Sequence, residues 1–455
     1  MITIFAQTAL LENGWANEVE IKISDHGQIQ EITSDITNTA DMSVDVLIPA
    51  PVNAHSHAFQ RAMAGLTERR GPTGSDTFWT WRKLMFKFLN QLTPDHIERI
   101  CAFVQMEMLE AGFATNVEFH YLHHQPGGQE YNKLSEMSDR IASATLQSGI
   151  GLTILPVLYQ YGGCDKSNLT GGQIRFGNSF DQYIKLCQEL SETIKYLPAD
   201  TTAGLSAHSL RAVGRNELIK ISELAGDKPL HMHAAEQIAE VEEVLSIWGK
   251  RPIEWILENL PINSNWCLIH CTQMLPHETL QLSATGAVAG LCPITEANLG
   301  DGIFDGVNWL SNGGAIAIGS DSNINISLAE EIRSLEYSQR LRDKSRARLA
   351  TEDKSTARRI FDAIVAGGAK ASGRKTGIIG VGYWADLMSI KSSDINLLQA
   401  KEDSILDSFA FTNEQAFIEN VWSAGRHMVK NGQHINRKYI TENYIKAIKE
   451  LGDLV

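Results

Sequence analysis

Two histidines one residue apart, His55 and His57, carry the first hint of chemistry in this sequence. Alternate side chains of an extended segment point the same way, so both imidazoles can reach one metal ion. Two ordinary polar loop histidines would look the same. The spacing recurs at His231-Met-His233, and His270 and Asp321 close two further apolar runs. Imidazoles and carboxylates are the groups that bind divalent ions and move protons. They do so together only if the fold brings them to one place.

The elements that would do this are legible as an alternation. Short apolar runs at residues 47–52, 115–119, 151–155, 203–206, 229–233, 266–269, 287–291 and 315–319 read as strands. Amphipathic stretches at 94–111, 216–224, 237–248 and 276–282 read as helices between them. Eight strands, each leading toward a helix, predict an α/β protein with a (β/α)8 TIM-like barrel over residues 49–374. His55 and His57, His233, His270 and Asp321 then fall at C-terminal strand ends, where such barrels assemble active sites. The two chain ends differ from the middle. Residues 18–24, 385–390 and 417–422 read as short strands, Asn431-Gly432 signals a hairpin, and the stretch from about Thr441 reads as a helix. Residues 1–48 and 375–455 are therefore expected to form one small flanking β-sandwich with a C-terminal helix.

Composition narrows the functional classes. Of 455 residues, 43% are hydrophobic and 21% charged, the balance of a soluble globular protein. No run reaches the ~18 apolar residues of a membrane span. Forty basic against 54 acidic side chains give a net charge of −14, which argues against nucleic acid and anionic membranes as partners. A local basic pocket for a small anion remains compatible. The six cysteines contain no Cys-x-x-Cys pair and read as reduced thiols. Cys267 and Cys271 flank a strand, which would hold them about 13 Å apart, so they read as core residues. The first ten residues contain no Lys or Arg and match neither a secretory signal nor a transit peptide. A cytoplasmic protein is expected.

The pattern of His55, His57, His233, His270 and Asp321 resembles the amidohydrolase superfamily over residues 50–370. Some members bridge two metal ions with a carboxylated lysine on the fourth strand. Here that region reads Thr202-Ala-Gly-Leu-Ser-Ala-His208, without lysine. The resemblance thus implies one divalent ion, expected to be zinc, held by His55, His57, His233 and Asp321; iron or manganese can compete for such ligands. Four segments sharpen the match: Asn53-Ala-His-Ser-His-Ala-Phe-Gln-Arg-Ala-Met-Ala-Gly65, Phe78-Trp-Thr-Trp-Arg82, His231-Met-His-Ala-Ala-Glu-Gln237 and Cys292-Pro-Ile-Thr-Glu-Ala-Asn-Leu-Gly-Asp-Gly302. They are similar to formimidoylglutamate deiminases, which hydrolyse N-formimidoyl-L-glutamate to N-formyl-L-glutamate and ammonia in histidine degradation.

What this implies can be stated residue by residue. Asp321 is expected to take a proton from the attacking water. His270 would orient the nucleophile, and Glu236 would protonate the leaving nitrogen or position the amidinium. Glu236 could instead be a carboxylate favoured by the dipole of the helix that follows. Gln60, Arg82, Tyr121, His208 and Arg211 are the implied substrate-binding residues, with Arg82 in an aromatic loop after the first strand. Arginine's planar fork suits the two carboxylates of a small, anionic, amino-acid-derived substrate. His123 and His124 read as loop residues. Trp79 and Trp81 are candidates to close a pocket, and Arg61, Arg69 and Arg70 form a basic cluster near the flexible-looking Gly71, Pro72 and Gly74. A homodimer is implied by resemblance only. The alternatives are a deaminase of a nucleobase, nucleoside or other imine-bearing metabolite, and a barrel that has lost catalysis and serves in assembly.

Overall fold

The computed structural model describes residues 1–37, 40–68, 78–412 and 417–452. Its centre is a closed parallel barrel. The strands are β1 (Val52–Ser56), β2 (Thr115–His120), β3 (Gly151–Leu158), β4 (Leu205–Ala207), β5 (Leu230–Ala234), β6 (Trp266–His270), β7 (Val288–Leu291) and β8 (Ala315–Ile318). Each pairs with its sequence neighbour, and β8 pairs with β1 at Ile318 and Asn53 to close the ring. The fourth position also includes Thr202–Ala203, separated from β4 by Gly204. A Cβ on Gly204 would lie 2.4 Å from the Pro229 carbonyl oxygen, so only glycine lets the chain pass there.

The first strand differs from the expectation. Residues 47–52 straddle two elements: Met42–Pro49 belongs to the flanking sheet, and β1 starts at Val52. Pro49 and Pro51 have no N–H to donate and break the run between them. His55 thus lies within β1 and His57 immediately after it. The helices expected at 94–111, 216–224, 237–248 and 276–282 are Pro94–Glu110, Arg215–Ala225, Ile238–Trp248 and Pro276–Ser283.

The chain ends build one eight-stranded, mainly antiparallel sheet beside the barrel. It contains Ile2–Leu11, Gly14–Ile23, Ile29–Thr33 and Met42–Pro49 from one end, and Leu387–Ile390, Ile418–Ser423, Arg426–Lys430 and Gln433–His434 from the other. The two ends meet where Met42–Pro49 pairs antiparallel with Leu387–Ile390. Alternation then sorts the side chains. Leu47 and Leu387 join a core with Ile4, Ile21 and Trp422, whereas Val46, Ile48, Met388 and Ile390 join the barrel core. The Asn431-Gly432 signal is a tight hairpin, with φ of 52° and 75° at its two residues. The last helix is Arg437–Gly452.

A buried ionic network fastens the sheet to the barrel. Arg374 donates to Asp200 (3.0 Å) and Asp386 (3.1 Å), and Arg426 binds Asp200 at 2.7 and 2.8 Å. All six cysteines are free thiols, and Cys267 and Cys271 are buried. Among the described residues no helix is long and apolar enough to cross a membrane.

Candidate active site

The C-terminal mouth of the barrel gathers the expected residues in one pocket. Its wall includes His57, Gln60, Arg82, Tyr121, His208, Arg211, His233, Glu236, His270 and Asp321. His55 lies fully buried behind them. Strand geometry explains the convergence. His233 and His270 sit at the ends of β5 and β6, while Tyr121, Tyr159 and His208 are the first residues after β2, β3 and β4. Asp321 follows β8 and bridges in parallel to Ser56. The turn before it runs against β1 so closely that a Cβ on Gly319 would stand 2.6 Å from His55. His270 and Asp321 both have left-handed backbones, φ 71° and 47°. Strain of this kind, in residues other than glycine, gathers at functional sites.

Four ligand atoms, one each from His55, His57, His233 and Asp321, lie within 4.8 Å of one another. His55 Nε2 lies 3.2 Å from both His57 Nε2 and His233 Nε2, and Asp321 Oδ1 lies 3.5 and 3.3 Å from His55 and His57 Nε2. Bonds of about 2.1 Å to a tetrahedral ion would put neighbouring donors roughly 3.4 Å apart, so the spacing fits a single ion. The outer ring nitrogens support it. His57 Nδ1 bonds the Phe119 carbonyl (2.9 Å) and His233 Nδ1 the His208 carbonyl (3.0 Å). A carbonyl only accepts, so each Nδ1 carries the hydrogen and each Nε2 presents a lone pair inward. Burial favours the same neutral form: it depresses His55 and His233, with help from neighbouring histidines, and takes His57 down to about 3.

The acid–base groups sit beside this cluster. His270 Nε2 is 3.7 Å from Glu236 and 3.9 Å from Asp321, and its Nδ1 meets Glu296 at 3.3 Å. Burial opposes a charge on His270, but Glu236, Glu296 and Asp321 outweigh it and push the imidazole up to about 10. Burial raises Asp321 to about 7, opposed by His270 and aided by Glu236 and Glu296. A bound dication would favour its carboxylate form. Glu236 is held by Glu240, which accepts from the backbone N–H groups of Ala235 (3.2 Å) and Glu236 (2.9 Å).

The same pocket also carries cationic and polar side chains. Gln60 donates to the Tyr121 hydroxyl (2.8 Å), Arg82 donates to the Tyr159 hydroxyl (3.1 Å), and the His208 ring packs 4.5 Å from Tyr159. Arg82 is not in a loop: it lies on the helix Phe78–Leu89. Apolar Trp81, Met85, Phe88 and Leu89 recur at helical spacing there and form its inward face. Arg175, fully buried, binds the carbonyls of Leu89, Leu92 and His124 and so secures the end of that helix.

Several lining residues had no signal in one dimension. Tyr159, Phe176, Met85, Leu299 and Ser322 all border the pocket, and their types alone do not separate them from core or loop residues. Trp81 borders it too. His123 and His124 are in a loop but buried, bonding the carbonyls of Val157 and Gly177. Arg61 is tied to Glu107 at 2.7 Å, away from the pocket. Arg69, Arg70, Gly71, Pro72, Gly74 and the Trp79 side chain lie outside the described residues.

Comparison with known proteins agrees with this geometry. The family model of the amidohydrolase family matches residues 46–428, and that of the formimidoylglutamate deiminase HutF N-terminal domain matches residues 1–42. The chain is similar to formimidoylglutamate deiminase of Pseudomonas aeruginosa, 41% identical with the whole of both chains covered. Among solved structures it is similar to an amidohydrolase from Brucella melitensis, with TM-score 0.95 and 42% identity over 99% of this chain and 100% of that one. An adenosine deaminase from Xanthomonas campestris with bound zinc shares the fold, with TM-score 0.82 and 19% identity over 99% and 98% of the two chains.

Proposed function

The chain belongs to the amidohydrolase family, among its formimidoylglutamate deiminases, and from that premise we propose that it hydrolyses N-formimidoyl-L-glutamate to N-formyl-L-glutamate and ammonia, a step of histidine degradation. The observation that carries the substrate assignment is one pocket lined both by the hydrolytic groups and by two guanidinium groups, Arg82 and Arg211. A dianion that also carries an amidine matches that combination of groups. An uncharged nucleoside would give the two arginines no carboxylate to bind.

His55, His57, His233 and Asp321 would hold a single divalent ion, proposed to be zinc because three imidazoles and a carboxylate suit it. The ion supplies Lewis-acid activation of water near neutral pH. Asp321 receives the proton that water loses as its oxygen attacks the amidine carbon. His270, between Asp321 and Glu236, orients the attacking oxygen. Glu236 delivers a proton to the imine nitrogen as the C–O bond forms; the proton held by Asp321 then completes the departing ammonia, the C–N bond breaks as the C=O bond forms, and the hydroxyl proton returns to Glu236. Gln60, Tyr121 and His208 align the amidine and chain, while Arg211 and Arg82 bind the carboxylates. Burial of the catalytic groups strengthens each of these interactions.

The test is ammonia release from purified, metal-loaded protein offered formimidoylglutamate, formimidoylaspartate, formimidoylglycine, guanine, adenosine and cytosine. Preferred turnover of formimidoylglutamate is expected. Preference for a nucleobase or nucleoside would overturn the reading.

A further inference from the structure

We propose that Glu296 is a positioning residue that holds the Nδ1–H of His270 and so fixes the aim of its ring; the catalytic consequence rests on the role assigned to His270 above. Glu296 lies on the short helix Pro293–Leu299 just beyond β7 and is only 5% exposed. Its Oε1 accepts from the Cys292 backbone N–H at 2.8 Å and from His270 Nδ1 at 3.3 Å. Among the described residues, His270 is the one ionic partner recorded for this carboxylate.

An ionised carboxylate has no hydrogen to give, so it accepts from the imidazole as it does from the backbone N–H. Nδ1 must therefore carry a hydrogen, whatever the state of the other nitrogen. The ring is then pinned from behind, and Nε2 is turned toward Glu236 and Asp321. The backbone adds to this, because His270 is held at φ 71° at the strand end. Without Glu296 the ring could rotate, and a buried N–H would lose its acceptor. An acceptor behind a catalytic imidazole is the arrangement by which acid–base groups are commonly oriented.

Two substitutions separate orientation from folding. Glu296→Gln keeps shape and an oxygen that can accept from both Cys292 and Nδ1, but removes the negative charge behind the ring. Glu296→Met removes the acceptor. In zinc-loaded protein with ¹⁵N-labelled histidine, the His270 signals, identified by their loss in His270→Asn, should show Nδ1 as an N–H hydrogen-bonded to a carboxylate in the wild type, and that signal should shift in Glu296→Gln and shift further or vanish in Glu296→Met. On formimidoylglutamate, kcat should fall about 10- to 100-fold, as is usual when an orienting partner is lost, with KM changed little and one zinc per chain retained. Glu296→Met combined with His270→Asn should be no slower than His270→Asn alone. Unchanged His270 signals in both variants would overturn the proposal, as would multiplying losses in the double variant. If the wild type releases no ammonia from formimidoylglutamate, the functional reading fails, while the ¹⁵N signals still decide the role of Glu296.

Discussion

Asp321 meets His57 twice: its backbone carbonyl accepts the His57 N–H at 2.9 Å, and its side-chain Oδ1 lies 3.3 Å from His57 Nε2. The last strand of the barrel is thus joined to the first at the metal cluster itself. The seam is reinforced by Asn53, whose side chain bonds the Ser320 hydroxyl (2.7 Å) and N–H (3.1 Å), and by Asn323, which reaches Ser56 at 3.2 Å.

Because the structural half of that contact is backbone, Asp321→Asn should spare the fold and remove the chemistry. An amide cannot accept the water's proton and is a weaker ligand. We expect kcat to fall by about 10²- to 10⁴-fold, the usual worth of a general base, with metal affinity also reduced. Steady-state kinetics beside the thermal unfolding of metal-free protein check this. A variant that keeps most of its turnover would show that Asp321 is not the base.

The four-ligand cluster predicts one ion per chain. Chelation should abolish ammonia release, and about one equivalent of zinc should restore it. The ion should also stabilise the fold, by about 2.7 kcal/mol when free metal is 100-fold above Kd. Elemental analysis and the apparent Tm with and without zinc are the measurements. A requirement for two ions per chain would contradict the cluster.

Arg211→Met keeps an unbranched stem and removes the charge. If it binds a buried substrate carboxylate, kcat/KM should drop by about 30- to 5,000-fold, equivalent to roughly 2–5 kcal/mol. Metal content should not change. The informative comparison is formimidoylglutamate against its α-carboxamide: wild type should discriminate strongly and Arg211→Met weakly. Equal ratios in the two proteins would remove Arg211 from that role.

The Asp200 network predicts a dependence on acid. Burial opposes the Asp200 charge, but the bond to Arg426 and the charges of Arg374 and Arg426 prevail and hold the carboxyl below its ordinary range. A depressed carboxylate contributes its full stability above the unfolded value, near pH 3.9, and loses it as pH falls through the lower folded value. Asp200→Asn should cost about 3–5 kcal/mol at pH 7, as breaking a buried pair does. Its loss of stability between pH 4 and lower values should be shallower than in the wild type. Urea midpoints across pH measure both effects, and parallel profiles would exclude the network as the source.

The sequence alone was sufficient for the barrel, the flanking β unit, and the placing of His55, His57, His233, His270 and Asp321 at one end of the barrel. These lie on or beside strands, where apolar runs of fixed length mark the element and its end, and where side-chain direction follows from the period of two. The same reasoning misplaced the start of β1, because Pro49 and Pro51 interrupt a run that hydropathy alone reads as continuous. It also missed the helix bearing Arg82, whose inward face is aromatic and short. Tertiary structure alone decided which polar groups oppose one another. Glu296 meets His270 across 26 residues, Arg175 holds Leu92 across 83, and Arg374 meets Asp200 across 174. A buried charge is stable only beside partners supplied by distant segments, and no local pattern records which segments the closed barrel will bring together.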